Sequence, residues 1–139
     1  MESKKEEKTI LQLMEILSEK SNDSKLGEEF WAENGAAAAE LGDRLELTPK
    51  QAVLLSICLR RGPRRVEFSD IASHLDISNI RALGYSDDVN ALIHLKYLKY
   101  RDAKDEDEFD IPVSVVRSLK NNEKPEQPKR KGLTSAGLF

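Results

Sequence analysis

Thr48-Pro49-Lys50-Gln51, with the apolar run that follows it, is the strongest local structural signal in the chain. The threonine is suited to cap a helix, the proline fits the first helical position, and the glutamine stands where the second half of a capping box belongs. The segment Gln51–Leu59 is then apolar on nearly every side, which predicts a buried helix. Its end is marked by Arg60-Arg61-Gly62-Pro63, with basic residues, a glycine and a proline in the order expected at a helix C-terminus.

Downstream of this helix, short helices alternate with short extended pieces. Ser69-Asp70 is expected to begin the next helix, and Gly84 to kink or divide the one after it. Two extended segments separated by an acidic turn predict a β-hairpin. The predicted elements are a strand at Val66–Phe68, helices at Ile71–Leu75 and around Val89–Leu95, strands at Leu98–Arg101 and Glu108–Ile111, and a helix at Val113–Leu119.

Upstream, residues 1–46 predict an acidic, amphipathic helical arm. After a capping Thr9, apolar residues recur at the i, i+3, i+4, i+7 spacing of one helix face: Ile10, Leu13, Met14 and Leu17. Leu26–Leu45 is a second helical region, which Asn34-Gly35 could bend or interrupt. Such an arm needs a surface to pack on, and the sequence leaves open whether that surface belongs to the same chain or to another copy.

Composition excludes several classes of protein. The 139 residues carry 22 lysines and arginines against 25 aspartates and glutamates, a net charge of −3, so no global positive field indicates nucleic-acid binding. A single cysteine, Cys58, excludes an internal disulfide and a multi-cysteine zinc cluster. No apolar run is long enough to span a bilayer. We therefore expect a cytoplasmic chain without membrane contacts, catalytic residues, cofactor or metal ion.

The order helix, short extended piece, helix, turn, helix and two-stranded hairpin is that of a winged helix-turn-helix. The predicted fold class is therefore mostly α with a small β-hairpin (α+β). Leu47–Leu54, Phe68–Leu75 and Leu98–Arg101 resemble successive signatures of winged-helix modules. The predicted organisation is an N-terminal helical arm at 1–46, a winged-helix domain at 47–120, and a linker at 121–139 toward a C-terminal domain that this chain lacks.

More narrowly, Leu47–Asn122 resembles the N-terminal winged-helix segment of a family of bacterial AAA+ ATPases. Ile111–Glu123 and Lys131-Gly132-Leu133-Thr134 are similar to the connection toward the ATPase core of that family. The resemblance implies that ATP is bound and hydrolysed beyond Phe139. The chain itself contains no G-x-x-x-x-G-K-[ST], the motif whose backbone amides and lysine hold the phosphates of ATP, so we expect it not to be an enzyme.

The charges on this predicted winged helix favour a protein partner over DNA. In the usual docking the third helix enters the major groove and the hairpin contacts the backbone, and phosphate contacts require Lys and Arg. The exposed start of that helix instead offers four candidates for contact with a protein: Ser86, Asp87, Asp88 and Asn90. The turn of the hairpin is also acidic, with Asp102, Asp105, Glu106 and Asp107. The leading hypothesis is a non-catalytic adaptor that positions the ATPase on a protein partner or on its other subunits.

The alternative is a DNA-binding winged helix, as in transcription regulators, that uses an arginine-rich loop. Its candidate contacts are Arg60, Arg61, Arg64, Arg65, Arg81, Lys96, Lys99 and Arg101. The ordinary interpretation of the loop is charge at a helix C-terminus followed by a solvated turn. We place that interpretation first.

Other conspicuous residues have a structural interpretation that outweighs a functional one. His74 and His94 lack cysteine partners at zinc-finger spacing, so we expect partly buried helix histidines. Cys58 is expected to be an inert thiol in the core. Trp31 is predicted to hold the arm on the body of the protein, and Tyr97 to fill the gap between hairpin and helix.

Overall fold

The structure is a computed structural model that describes residues 8–62, 64–102 and 105–127. Within them the chain forms helices and one antiparallel sheet of three short strands, which confirms the predicted α+β class. None of the helices in these ranges combines the length and apolar character that crossing a membrane requires. In chain order the elements are α1 (Ile10–Ser21), α2 (Glu28–Leu45), α3 (Pro49–Arg61), β1 (Val66–Glu67), α4 (Phe68–Leu75), α5 (Asn79–Leu83), α6 (Ser86–His94), β2 (Lys99–Asp102), β3 (Asp105–Asp110) and α7 (Val113–Lys120).

Capping boxes of threonine and glutamine begin α1 and α3. At α3, Thr48 Oγ1 accepts a hydrogen bond from Gln51 N at 3.1 Å, and Gln51 Oε1 accepts one from Thr48 N at 3.2 Å, as the sequence predicts. Thr9 and Gln12 make the same pair of bonds at α1, at 3.1 and 2.8 Å. Each box satisfies N–H groups that a helix start otherwise leaves unpaired, so local sequence fixes where both helices begin.

The turn between α2 and α3 requires a glycine at position 42. A Cβ added to Gly42 would lie 2.6 Å from the carbonyl oxygen of Leu47, closer than side-chain carbons approach backbone oxygens. The turn is closed by a hydrogen bond from Leu47 N to Gly42 O at 2.8 Å, and Glu46 adopts a left-handed φ of 59°. This tight turn sends α3 back along α2, so that the two helices pack against each other.

Several helix boundaries differ from the predicted ones by one to three residues, and α2 and α4 show local causes. α2 continues through Asn34-Gly35, because the alanines that follow favour a helix strongly enough to offset the glycine. α4 begins at Phe68, ahead of the predicted start at Ser69-Asp70, because Asp70 Oδ2 accepts a hydrogen bond from Glu67 N at 2.8 Å. Phe68 therefore belongs to this helix and not to the predicted strand. The predicted division at Gly84 is confirmed, since it separates α5 from α6.

The sheet contains one more strand pairing than the predicted hairpin. Its strand order is β1-β3-β2, and β3 pairs antiparallel with both neighbours. Phe109 of β3 lies opposite Val66 on one side and Tyr100 on the other. Its buried ring also packs edge-on against Phe68 at 5.6 Å between ring centroids. The pairing of β1 with β3 ties the segment after α3 to the hairpin that precedes α7.

One hydrophobic core includes residues of the predicted arm and of the predicted domain at 47–120. α1 and α2 pack against each other and against α3. Leu17, Leu41 and Leu55, one from each of these helices, are fully buried. In this structure the arm therefore packs on its own chain.

Residues 121–127, the described part of the predicted linker, lie against the helices. Asn122 Oδ1 accepts a hydrogen bond from Ile10 N at 2.8 Å. Gln127 Nε2 donates to the hydroxyl of Tyr97 at 2.9 Å, and that hydroxyl donates to the end of α2. The start of the segment is thus held by polar contacts that composition does not reveal. The predicted connection motif further along lies outside the described residues.

Candidate interaction interface

α6 carries the residues that are predicted to face a partner, and α5 lies directly before it in the chain. Ser78 caps α5, since its Oγ accepts a hydrogen bond from Arg81 N at 3.1 Å. Ala82 of α5 and Val89 of α6 are buried and therefore face the core. Side chains on the opposite sides of both helices are exposed, and these decide what the region can bind.

Two neighbouring aliphatic side chains of α5 face solvent. Ile80 is 81% exposed and Leu83 is 53% exposed, and their spacing of three residues places them on the same side of the helix. Leu83 also lines a groove of about 260 Å³ whose other lining residues are Glu67, Phe68, Ser69 and Asn79. We call Ile80, Leu83 and this groove the α5 face. Adjacent exposed aliphatic side chains with polar residues around them are typical of protein contact surfaces.

The predicted partner-facing residues lie in the first turns of α6, directly after this face. Ser86 Oγ donates a hydrogen bond to the carbonyl oxygen of Leu83 at 2.6 Å. Asn90 Oδ1 accepts one from the hydroxyl of Tyr100 at 2.9 Å. Both side chains therefore have partners within their own chain.

The two aspartates between them differ in their surroundings. Asp88 is half-buried, its Oδ1 accepts a hydrogen bond from Gln51 Nε2 at 3.4 Å, and its Oδ2 lies 3.9 Å from Lys50 Nζ. Asp87 is exposed and forms no ion pair within the described ranges. Asp87 is thus the carboxylate next to the α5 face that is available to a partner.

Several of the predicted nucleic-acid contacts are bound to acidic groups of the same chain. Arg65 Nη2 lies 3.2 Å from Glu67 Oε2 and 3.0 Å from Glu108 Oε2. Arg101 Nε lies 3.6 Å from the other oxygen of Glu108. The hydrogen bond with Glu108 and the charges of both glutamates raise the pKa of the Arg65 guanidinium. The arginines at the sheet are therefore already paired with carboxylates.

Arg60 and Arg61 lie together at the end of α3. Arg60 Nη2 is 3.1 Å from Glu15 Oε2, and its Nε donates to Ser18 Oγ at 2.8 Å, so this side chain links α3 to α1. Arg61 is exposed and has no ion pair in the part of the chain that the structure describes. A polar pocket of about 500 Å³ is lined by Asn22, Arg60, Arg61, Asp70 and His74. Within this pair, Arg61 is the one available to an external anion.

The other predicted basic contacts are exposed and come from separate segments. Counting only the described residues, none of their side chains forms an ion pair. They lie in the loop before β1, on α5, in the turn after α6 and on β2: Arg64, Arg81, Lys96 and Lys99. The side chains of the predicted acidic turn, at 102–107, lie outside the described residues.

Cys58 and His74 are buried, whereas His94, which the sequence predicted to be partly buried, is exposed at the end of α6. Burial raises the pKa of the Cys58 thiol to about 12, with a further contribution from the charge of Asp70, so the group stays a thiol. His74 is buried, more deeply than the sequence suggested, and its Nε2 lies 2.8 Å from the carbonyl oxygen of Ser18. Burial lowers the pKa of His74, and the positive charge of Arg61 adds to that effect. Both residues contribute to packing between helices.

Ile80 and Leu83 are the residues of this surface that sequence reasoning missed. In Asn79–Leu83, two aliphatic residues three positions apart would ordinarily mark the inward side of a helix. The structure instead places Ala82 inward. A signal was present, because a five-residue helix between a capping serine and a glycine has too few residues to bury both of its sides.

Comparisons of the chain with protein-family models, with curated proteins and with solved structures found no match. Across residues 8–62, 64–102 and 105–127, no group of three or more His, Cys, Asp or Glu side chains is arranged to hold a metal ion. The α5 face, with Asp87 beside it, is the candidate site.

Proposed function

We propose that this chain is a non-catalytic winged-helix domain that binds protein, at the N-terminus of an AAA+ ATPase whose nucleotide-binding part follows it. The element order α3, β1, α4, α5–α6, β2 and β3, with β1 paired to β3, supports the winged-helix assignment. In such a domain α5–α6 takes the place of the recognition helix and β2–β3 that of the wing. The link to an ATPase rests on the resemblance of Leu47–Asn122, and a phosphate-binding loop encoded beyond Phe139 would test it.

The chemistry of the α5 face is the observation that carries this proposal. A DNA-binding domain needs Lys and Arg side chains directed at phosphates on the surface that it docks. At the corresponding surface this chain exposes Ile80, Leu83 and Asp87, and Arg81 is the single Lys or Arg side chain of α5 and α6. Aliphatic side chains gain free energy when another protein covers them, whereas a carboxylate repels phosphate. The surface therefore favours a protein partner.

The ion pairs at the sheet point in the same direction. To contact phosphate, Arg65 and Arg101 would have to give up their interactions with Glu108. The carboxylate would then be left beside the DNA, where its repulsion opposes the new contact. Replacing one ion pair at an exposed site by another therefore yields little net affinity.

An NMR titration with random-sequence duplex tests the proposal. At about 100 µM of labelled protein and low salt, a duplex bound with ordinary non-specific affinity, ~10⁻⁴–10⁻⁶ M, would shift the amide signals of its binding surface. We expect the signals of α6 and β2 to stay unchanged. The proposal would be overturned by duplex-induced shifts in both elements together with a salt-dependent binding constant. For such binding, the logarithm of the binding constant falls with the logarithm of the salt concentration, with a slope of about −0.9 per phosphate neutralised.

The second candidate, DNA binding through the arginine-rich loop, is favoured by one observation. Arg61 and Arg64 are exposed and form no ion pair within the described ranges. If the chain binds duplex, the double variant Arg61→Glu, Arg64→Glu should abolish binding. The matched control is Lys20→Glu, Lys120→Glu, which makes the same change in charge at exposed positions on α1 and α7. Loss in the first variant alone would establish the second candidate.

A further inference from the structure

We propose that the α5 face binds a second copy of this chain in a two-fold symmetric dimer. Ile80 and Leu83 form the apolar centre, and Arg81 of each copy pairs with Asp87 of the other. The inference rests on the proposed function, because it names the protein that the α5 face contacts. Among the protein partners that the proposed function allows, the inference selects a second copy of this chain and not an unrelated protein.

The apolar centre of one copy can pack against the identical apolar centre of a second copy. Ile80 and Leu83 lie on the same side of α5, and nothing in the described chain covers them. Val113, at the start of α7, is also 72% exposed, but it stands alone. When two copies meet, the two neighbouring aliphatic side chains of one copy can cover those of the other. A single exposed valine on each copy would bury less apolar area.

Two opposite charges flank this centre, and neither has an ion-pair partner among the described residues. They are Arg81 and Asp87, and both are exposed. In an interface with two-fold symmetry, residue i of one copy contacts residue j of the other, and j contacts i. One cation and one anion on the same surface then form two identical ion pairs. This charge arrangement is what a second copy of the chain would match.

The proposed two-fold axis passes near Gly84, which is exposed and lies in the turn between α5 and α6. Arg81 precedes Gly84 by three residues in the sequence, and Asp87 follows it by three. An antiparallel crossing of two copies at this turn brings Arg81 of each copy toward Asp87 of the other and the two Leu83 side chains toward the axis. Because glycine has no side chain, Gly84 adds no bulk at the crossing point.

The expected dimer is weak. Stable interfaces of standard size bury roughly 800 Å² per partner, and two aliphatic side chains with a polar rim supply much less. We therefore expect a dissociation constant on the order of 100 µM for this chain in solution. A concentration series reaching about 1 mM covers that range.

Sedimentation equilibrium of the whole chain tests the apolar centre. We expect a monomer–dimer equilibrium in the wild type, which Ile80→Asp shifts to monomer by at least tenfold in dissociation constant. Val113→Asp makes the same substitution at another exposed aliphatic position and should leave the equilibrium unchanged. Both sites are exposed, so circular dichroism should show the same folded state for both variants. A wild type that is monomeric at every concentration, or equal losses in both variants, would overturn the proposal.

Charge reversal tests the two-fold pairing. Arg81→Glu places two carboxylates against each other, and Asp87→Arg places two guanidinium groups together, so each should weaken the dimer by about three- to tenfold. The double variant restores opposite charges in exchanged positions and should regain wild-type affinity. Dimerisation that is indifferent to the single changes, or that the double variant does not recover, would contradict the pairing.

Failure of the dimer and failure of the proposed function give different results. If the chain stays monomeric and the duplex titration shows no binding, only the dimer is wrong and a protein of another kind occupies the face. If the duplex shifts the signals of α6 and β2, the protein-binding role itself is wrong.

Discussion

The α1–α3 region and the α5 face place their aliphatic side chains in opposite environments. Leu17, Leu41 and Leu55 are fully buried where three long helices meet, whereas Ile80 and Leu83 are exposed on a helix of five residues. In the first region each helix covers the apolar side of the others, so the side chains stabilise the fold. In the second, no element of the described chain covers the apolar side, which leaves its burial energy to an interaction with another molecule.

The largest expected difference between the two regions is in the effect of shortening a side chain. Leu17→Ala should lower the free energy of unfolding by about 3 kcal/mol, because it removes buried carbon atoms and leaves a cavity. Ile80→Ala should change it by less than about 0.5 kcal/mol, because its side chain is exposed in the folded state as well. Urea unfolding at a concentration where the chain is monomeric measures both. Equal losses would mean that α5 is part of the core.

Glycine to alanine substitutions sharpen the contrast between crowded and open positions. Gly42→Ala should lower the free energy of unfolding by about 2 kcal/mol, because the new Cβ meets the carbonyl oxygen of Leu47. Gly35→Ala is the matched control, since nothing lies within 4 Å of its Cβ position and it sits inside α2. Alanine favours a helix over glycine, so this change should raise the free energy of unfolding by about 0.5–1 kcal/mol.

Thermal and urea unfolding of these two variants give the sign of each effect directly. A loss of stability at both positions would show that α2 needs glycine for a reason other than space. A gain at both would mean that the turn after α2 relaxes easily.

The helices of the α1–α3 region are predictable from the sequence, because the residues that define each helix are close together in the chain. A capping threonine, a partner glutamine three residues later and an apolar stripe predict where α1 and α3 lie, because these interactions span a few residues. The division at Gly84 and the buried Tyr97 follow from similarly local patterns. Long-range pairings are different. The contact of β1 with β3, and that of Asn122 with the start of α1, join residues far apart in the chain, and periodicity carries no information on them.

The candidate site was predictable only in part, for the same reason. The sequence shows that Asp87 and Asp88 stand at the start of a helix, but not that Asp88 lies near Lys50 while Asp87 has no such neighbour. The exposure of Ile80 depends on which side of α5 packs on α4, and this is a property of the tertiary structure. A sequence shows which residues are charged. It does not show which of these charges are exposed and without an ion pair, and so able to contact a partner.

Removing helix caps compares the two regions on a smaller scale. Thr48→Ala should lower the free energy of unfolding by about 1 kcal/mol, because α3 lies in the core and its start cannot fray without disturbing the packing. Ser78→Ala removes an equivalent hydrogen bond at α5 but should lower it by only about 0.5 kcal/mol, since a short exposed helix can open locally. Urea unfolding measures both values, and hydrogen exchange of the α5 amides should rise in the second variant. A larger loss for Ser78→Ala would mean that α5 supports the core.

The smallest expected effect is the pH dependence that His74 gives to the packing of α1 on α4. Burial lowers its pKa in the folded state below the ordinary 6.5, so the unfolded chain binds the proton more tightly. The contribution of the neutral ring to stability is therefore complete above pH 6.5 and declines as the pH falls through 6.5 toward the folded-state pKa. His74→Gln keeps an N–H that can donate to Ser18 O but does not titrate in this range, so its stability should fall less between pH 8 and pH 5.5, by an amount smaller than the effect of Thr48→Ala. His94→Gln, at the exposed end of α6, is the control. If the wild type and His74→Gln lost the same stability over that interval, the buried histidine would not be the titrating group, and the pH response would belong to the protein surface.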